Sequence, residues 1–298
     1  MTAPANFADR LAERVLATNS RICVGCDPEV ALLPSFAGRG RPHKTPVAAI
    51  KRFGIELVGA VAPYAAAVKF QSAFYEKFGA GGFRVLEHHL ASARAAGLIT
   101  ILDCKRGDVG HTMRAYCDAY LTPGAPLEAD AVTLAPYLGA DGLAPFNVCA
   151  AEHGKGYFVV VKSSNPSTAD VQDVRMEDGR PVCFRVAEMT AAVGRHLVGA
   201  RGYSAAGAVV GATYPEVVTE LRALMPEQFF LMPGVGAQGG DVALLGPAFD
   251  EQGLGALVAA SRSVAYAWKD REGMDWREAA AAAARELKDA VNATLPAK

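Results

Sequence analysis

The segment Thr100-Ile-Leu-Asp-Cys-Lys-Arg-Gly-Asp108 brings two carboxylates and an ammonium into one short stretch: Asp103, Lys105 and Asp108. The apolar run 98–102 that leads into it reads as a buried strand. Side chains two apart on a strand share a face, so Asp103 and Lys105 are expected to point the same way at the strand's C-terminal end. Asp108 then follows in the Arg106-Gly107 turn. A charged array this tight needs a polar ligand or a closed network of partners. With a ligand it suits proton transfer and stabilisation of developing charge. Without one it is a salt-bridge cluster that closes a strand end.

Polar groups recur at the ends of the other apolar runs. Asp27 follows the first, Lys69 ends the second, and Ser163-Ser164-Asn165-Pro166 follows the fifth. The seventh runs into Pro233-Gly-Val-Gly-Ala-Gln-Gly-Gly-Asp241 and the eighth into Ser261-Arg262-Ser263. Isolated charges are costly to bury, so lysines and aspartates that converge must pair with each other or with a ligand. Glycines let the backbone approach an anion, and the stretch after Gln238 is expected to open a helix whose N-terminal amides favour one. Arg262 adds a charged fork suited to phosphate. Together they predict a phosphate site.

The elements that must hold these groups alternate along the whole chain. Strands are expected at 21–25, 65–70, 98–105, 131–135, 157–163, 206–212, 229–232 and 255–260. Helices are expected at 47–62, 83–96, 112–120, 142–152, 184–198, 215–224, 241–248 and 276–294, with an additional one at 7–18 before the first strand. Eight strand–helix units predict an α/β fold: a (β/α)8 TIM barrel forming a single domain over residues 1–298. The rival, a doubly wound open sheet, would be favoured by a G-x-G-x-x-G turn after the first strand, where Gly25-Cys-Asp27-Pro28 stands instead. In a barrel the segments after strands gather on the C-terminal face, where active sites lie. Two of them are long, 34–46 and 163–183; each is either a lid or a tolerated surface insertion, and the second is expected to be a lid over the site.

Composition narrows the function further. The 298 residues carry a formal net charge of -1, which argues against nucleic-acid binding through a broad basic surface. No apolar run reaches the roughly 18 residues of a membrane span, and Met-Thr-Ala-Pro-Ala-Asn lacks the features of a signal peptide. A cytoplasmic protein is expected. Cys23-Val-Gly-Cys26 has metal-ligand spacing but lacks a second pair, and the remaining four cysteines stand singly. All six are expected to be reduced packing residues, and the histidines show no metal-binding spacing. His88-His89, Lys51-Arg52, Glu220-Arg222 and Arg285-Lys288 read as solvated helix faces, and Trp268 and Trp276 as packing for the C-terminal helix.

Taken together, Val24-Gly-Cys-Asp-Pro28, Val68-Lys-Phe70, Asp103-x-Lys105-x-x-Asp108 with Gly110-x-Thr112, Ser164-Asn-Pro166, Gly211-Ala-Thr213 and Pro233-Gly-Val-Gly-Ala-Gln-Gly-Gly240 closely resemble orotidine 5'-phosphate decarboxylase. The likeness is to its longer bacterial branch (type 2), with an extended loop after strand five, and runs from about Phe7 to Tyr266. It implies loss of carbon dioxide from orotidine 5'-monophosphate to give UMP, the last step of de novo pyrimidine nucleotide synthesis, with no cofactor and no metal. It also implies a homodimer whose active sites lie at the interface. On that pattern Lys105 protonates C6 of the pyrimidine and Asp103 lies beside the substrate carboxylate. Lys69 holds the charged network and a ribose hydroxyl, and Asp27 also binds the ribose. Asp108 and Thr112 reach the neighbouring subunit's site, Ser164 meets the pyrimidine edge, and Gln238 and Arg262 take the phosphate. Cys26, Cys104 and Ser261 depart from the commoner residues beside these groups, Ser261 standing where glycine is frequent. The D-x-K-x-x-D array alone is shared with metal-dependent sugar-phosphate decarboxylases and synthases on the same scaffold, which remain the alternative. A catalytically idle barrel that binds a phosphorylated metabolite would need neither Asp103 nor Lys105.

Overall fold

The computed structural model describes residues 4–34, 45–236 and 239–295. Eight parallel strands close into one barrel: β1 (Ile22–Gly25), β2 (Ala67–Gln71), β3 (Ile99–Arg106), β4 (Ala131–Leu134), β5 (Gly156–Lys162), β6 (Ser204–Val210), β7 (Gln228–Pro233) and β8 (Ala256–Ala260). Each pairs with its sequence neighbour, and β8 returns to β1 through Cys23 opposite Ala259. Nearly every strand residue is buried, as parallel strands covered by helices require.

The helices are α1 (Phe7–Thr18), α2 (Pro46–Val61), α3 (Ala73–Glu76), α4 (Gly79–Ala95), α5 (Gly110–Tyr120), α6 (Ala144–His153), α7 (Val182–Gly194), α8 (Pro215–Leu224), α9 (Arg262–Ala265) and α10 (Trp276–Asn292). Local chemistry sets their ends. Asn6, Thr45 and Asp275 cap α1, α2 and α10 by accepting from amides of the first turn, and Pro46 opens α2 where its missing N–H is not needed. The extra helix α1 buries Phe7, Leu11 and Val15 across the N-terminal end of the barrel, where Phe7 packs edge-on to Phe158 of β5. α1 thus covers the N-terminal end of the barrel.

Three expectations need correction. Residues 241–248 form two 3-10 turns, Val242–Leu244 and Gly246–Ala248, because Gly246 and Pro247 interrupt any longer helix. Among the described residues, no extended helix therefore follows the glycine-rich loop. His89 is fully buried while its neighbour His88 is solvated; the His89 ring lies between the Tyr75 hydroxyl at 2.9 Å and the Lys51 carbonyl at 3.0 Å. Arg222 is likewise no free helix charge: it donates to the carbonyls of Met225, Gln228, Ala248 and Gly255 and lies over the Phe230 ring. All six cysteines are unpaired with one another and buried, and burial pushes the Cys23 and Cys26 thiols up to about 12. No helix among the described residues is long and apolar enough to cross a membrane.

Candidate active site

A cavity of about 300 Å³ opens at the C-terminal mouth of the barrel. Its wall carries Asp27, Lys69, Asp103, Lys105, Ser164 and Arg262, so six of the nine site residues expected from sequence meet in one place. Gln238 lies outside the described residues. Asp108 and Thr112 do not line this cavity; in sequence they flank Gly110 and His111, which line a second cavity.

The charged array is a chain of alternating signs. Lys69 Nζ lies 2.9 Å from Asp103 Oδ2 and 3.9 Å from Asp27 Oδ1, while Lys105 Nζ lies 2.6 Å from Asp103 Oδ1. Thr133 of β4 donates from its hydroxyl to the same Asp103 oxygen at 2.8 Å and accepts the Lys105 amide at 2.9 Å. Burial pushes the Asp103 carboxyl up, but Lys69 and Lys105 together outweigh it and hold the group well below the usual carboxylate range. Burial likewise lowers Lys69, and Asp103 and Asp27 more than reverse that, leaving its ammonium harder to deprotonate than an ordinary lysine. Both are therefore fixed as ions at neutral pH.

The backbone reaches this geometry by an irregular route. Between Leu102 and Arg106 the pairing of β3 with β4 slips, and Lys105 takes a left-handed φ of 44°, a conformation that costs a non-glycine residue free energy. Asp103 and Lys105 do share a side, as their spacing suggested, but through a bulge that lifts Lys105 into the cavity instead of through regular alternation. About half of the Lys105 side chain faces the cavity, whereas Lys69 and Asp103 are each only 9% exposed. Arg106, the next residue, is tied outside the barrel to Glu76 at 2.6 Å and lies over the Tyr116 ring, which braces the bulge.

Asp27 is oriented from the far side of the sequence. The Tyr266 hydroxyl donates to the Asp27 carbonyl and accepts the Glu29 amide, each at 2.8 Å. Among the described residues no hydrogen bond reaches Asp27 Oδ1, although that oxygen is buried. A buried acceptor left open in a cavity wall suits a ligand hydroxyl. Sequence reasoning missed Thr133 and Tyr266; a threonine inside the apolar run of β4 was the available signal for the first, and nothing marked the second.

The opposite end of the cavity carries a guanidinium beside a glycine turn. Arg262, Gly234 and Val235 face it, with Gly234 at φ 107°, a conformation that favours glycine and exposes the chain to a ligand. Ser261 faces β1, where a Cβ at Gly25 would lie 1.8 Å from its hydroxyl; Gly25 thus makes the room that Ser261 occupies. Between the two ends, Val160, Val209 and Leu231 form an apolar floor.

A closed parallel barrel with an ion chain at one end of its mouth and an arginine beside a glycine turn at the other has the build of a (β/α)8 enzyme. The chain belongs to the orotidine 5'-phosphate decarboxylase / HUMPS family, whose model matches residues 20–274. Two relatives named orotidine 5'-phosphate decarboxylase come from Rhodopirellula baltica and Deinococcus radiodurans. The first is 39% identical over 296 residues, covering 95% of this chain and 98% of the relative. The second is 42% identical over 290 residues, covering 97% and 98%. The solved structure of Leishmania donovani OMP decarboxylase is 33% identical, with a TM-score of 0.76 over 97% of this chain and 98% of that one. The chain is thus an enzyme, and the name its relatives share is that of a carboxy-lyase.

Proposed function

We propose that the chain removes carbon dioxide from orotidine 5'-monophosphate to give UMP, without cofactor or metal, in the cytoplasm. The observation that carries this reading is the ion chain: a buried aspartate held anionic by two lysines, one of which projects its ammonium into the cavity. Breaking the bond from C6 to the carboxylate releases carbon dioxide and leaves the electron pair on C6, an sp2 carbanion with little delocalisation. Lys105 stabilises that charge and then gives its proton to C6, forming the C–H bond of UMP, and regains a proton from solvent. Asp103 fixes the Lys105 ammonium beside the departing carboxylate. The open Asp27 oxygen accepts from a ribose hydroxyl, with Lys69 beside it. Ser164 contacts the pyrimidine edge, and Arg262 with Gln238 grips the phosphate, whose binding energy helps position the ring.

The donor set fits poorly with the alternative, a divalent cation serving a sugar phosphate. Both Asp103 oxygens are engaged by ammonium groups, so a cation would have to displace one of them.

The active unit is a homodimer in this reading. Val109, Tyr137, Leu138 and Val148 are exposed around the loops after β3 and β4 and on α6, with Tyr137 88% exposed. A second cavity of about 410 Å³ beside them is lined by Gly110, His111, Arg114 and Asp141. An apolar rim of this kind suits a second copy of the chain, and from it Asp108 and Thr112 would complete the partner's site.

Ultraviolet absorbance of orotidine 5'-monophosphate mixed with the protein in EDTA tests the reading. A spectral change to UMP is expected. An unchanged spectrum with folded dimeric protein would overturn it and direct attention to sugar phosphates with added magnesium.

A further inference from the structure

The most deeply buried lysine near the site is not in the ion chain. Lys162 ends β5, is 1% exposed and is absent from the cavity wall, although its neighbours Ser163, Ser164 and Asn165 all line it. A register slip between Val160 and Lys162 against β6 accounts for this: Val160 faces the cavity, and Lys162 turns away beneath the loop that follows. There its ammonium donates to Asp173 Oδ1 at 2.5 Å and to Thr168 Oγ1 at 3.0 Å, and sits 4.3 Å from the centre of the Tyr214 ring. Thr168 in turn donates to Asp173 Oδ2.

An ammonium this deep needs its partners, and the partners are the loop itself. Thr168 and Asp173 belong to the 163–181 segment, so the buried charge is satisfied only while that segment lies folded against the strand end. The loop passes this constraint to the cavity wall. Gln172 accepts the Ser163 amide and donates to its hydroxyl, both at 2.8 Å, and that hydroxyl donates to Asn165 at 2.7 Å. Tyr214 donates to the Asn165 carbonyl at 3.0 Å, and Thr213 to the Ser164 carbonyl at 3.2 Å. Beneath them Gly211 admits the loop so closely that a Cβ there would lie 2.9 Å from Ser164 Cα.

We propose that Lys162 is a positioning residue, a latch under the loop after β5 that holds Ser163, Ser164 and Asn165 on the cavity wall for the substrate's ring. The role rests on the decarboxylase reading, since it assigns the wall segment to that substrate. With the latch removed, the loop samples open arrangements and substrate binding must first reclose it. Apparent affinity falls by the fraction of molecules that are closed, while chemistry in the closed complex is little changed.

The test uses Lys162→Met, which keeps the length of the stem, and Asp173→Asn, which removes the counter-charge at a side chain already 41% exposed. Trypsin cleavage after Arg175, an exposed residue of the loop, is followed in the protein without ligand, and kcat and KM are then measured with orotidine 5'-monophosphate. The latch predicts cleavage about tenfold faster and KM about tenfold higher, with kcat within about twofold of wild type. A purely structural role would lower the amount of active enzyme, and so kcat, with KM unmoved. Unchanged cleavage, or an unchanged KM in a folded variant, overturns the proposal; if Lys162→Met does not fold, Asp173→Asn alone decides it. Wild-type enzyme that fails to turn over the substrate would refute the decarboxylase reading, while the cleavage comparison would still judge the latch.

Discussion

Replacing Asp103 by Asn probes the ion chain at its centre. The substitution keeps the shape of the side chain and removes the charge that lies between two ammonium groups, 2.9 Å from Lys69 and 2.6 Å from Lys105. The two arms are not equal. Lys105 is 47% exposed and can turn to water, so its loss contributes little to stability. Lys69 is 9% exposed and, among the described residues, keeps only Asp27, at 3.9 Å, as a counter-charge. Leaving a buried charge without its close partner costs about 3 kcal/mol. With an unfolding entropy of about 2.1 cal/mol/K per residue, that is about 5 °C in melting temperature for a chain of 298 residues. The pH dependence supplies a sharper check. Wild-type Lys69 has a raised pKa, so its contribution is fully present below the ordinary lysine value of about 10.4 and is lost as pH rises through the folded value. In the variant, burial without Asp103 favours the neutral amine, and the penalty shrinks as Lys69 deprotonates. The gap in melting temperature between the two proteins should therefore narrow at alkaline pH. Equal melting temperatures at pH 7, or a gap that widens with pH, would refute the reasoning.

Other outcomes follow from the same geometry. Burial lowers the His89 pKa from 6.5 to about 4, so the folded state binds fewer protons than the unfolded one across that window. Wild-type stability should accordingly fall by about 3 kcal/mol more than that of His89→Gln between pH 6.5 and pH 4, measured by denaturant unfolding. Arg262→Ala removes a charge-assisted contact worth about 1.5–3 kcal/mol, which should raise KM for the phosphorylated substrate by about 10- to 100-fold and leave binding of the unphosphorylated nucleoside unchanged. Shared sites predict complementation. Lys105→Ala and Asp108→Ala chains, each inactive alone, should regain about a quarter of wild-type activity when subunits are exchanged at equal amounts, because half the dimers are then hybrid with one intact site each. Absence of any recovery after verified exchange would place Asp108 outside the partner's site.

Much of this architecture was legible in the sequence because parallel strands buried on both faces read as plain apolar runs, and six of the eight runs end in or lead into polar residues. The features that escaped share a physical character. The 241–248 segment has the composition of a helix, yet Gly246 and Pro247 confine it to 3-10 turns. His89 and Arg222 sit among charged helix neighbours, and only the packing of α2 against α4, or the convergence of four carbonyls, distinguishes them from a solvated face. Lys162 was hidden because it closes an apolar strand. Its partners, at positions 168, 173 and 214, come together only when the loop folds back. The bulge at Lys105 was hidden for the opposite reason: regular alternation predicts the same neighbour, so the spacing of Asp103 and Lys105 is correct by either route.

The measurement that bears most directly on the central claim is turnover in deuterium oxide, with Lys105→Ala alongside. Wild-type enzyme should convert orotidine 5'-monophosphate to UMP carrying deuterium at C6, delivered through the exchanged Lys105 ammonium. The variant, folded and still binding nucleotide through Arg262, should form none. Deuterated UMP produced by Lys105→Ala at near wild-type rate would contradict the account.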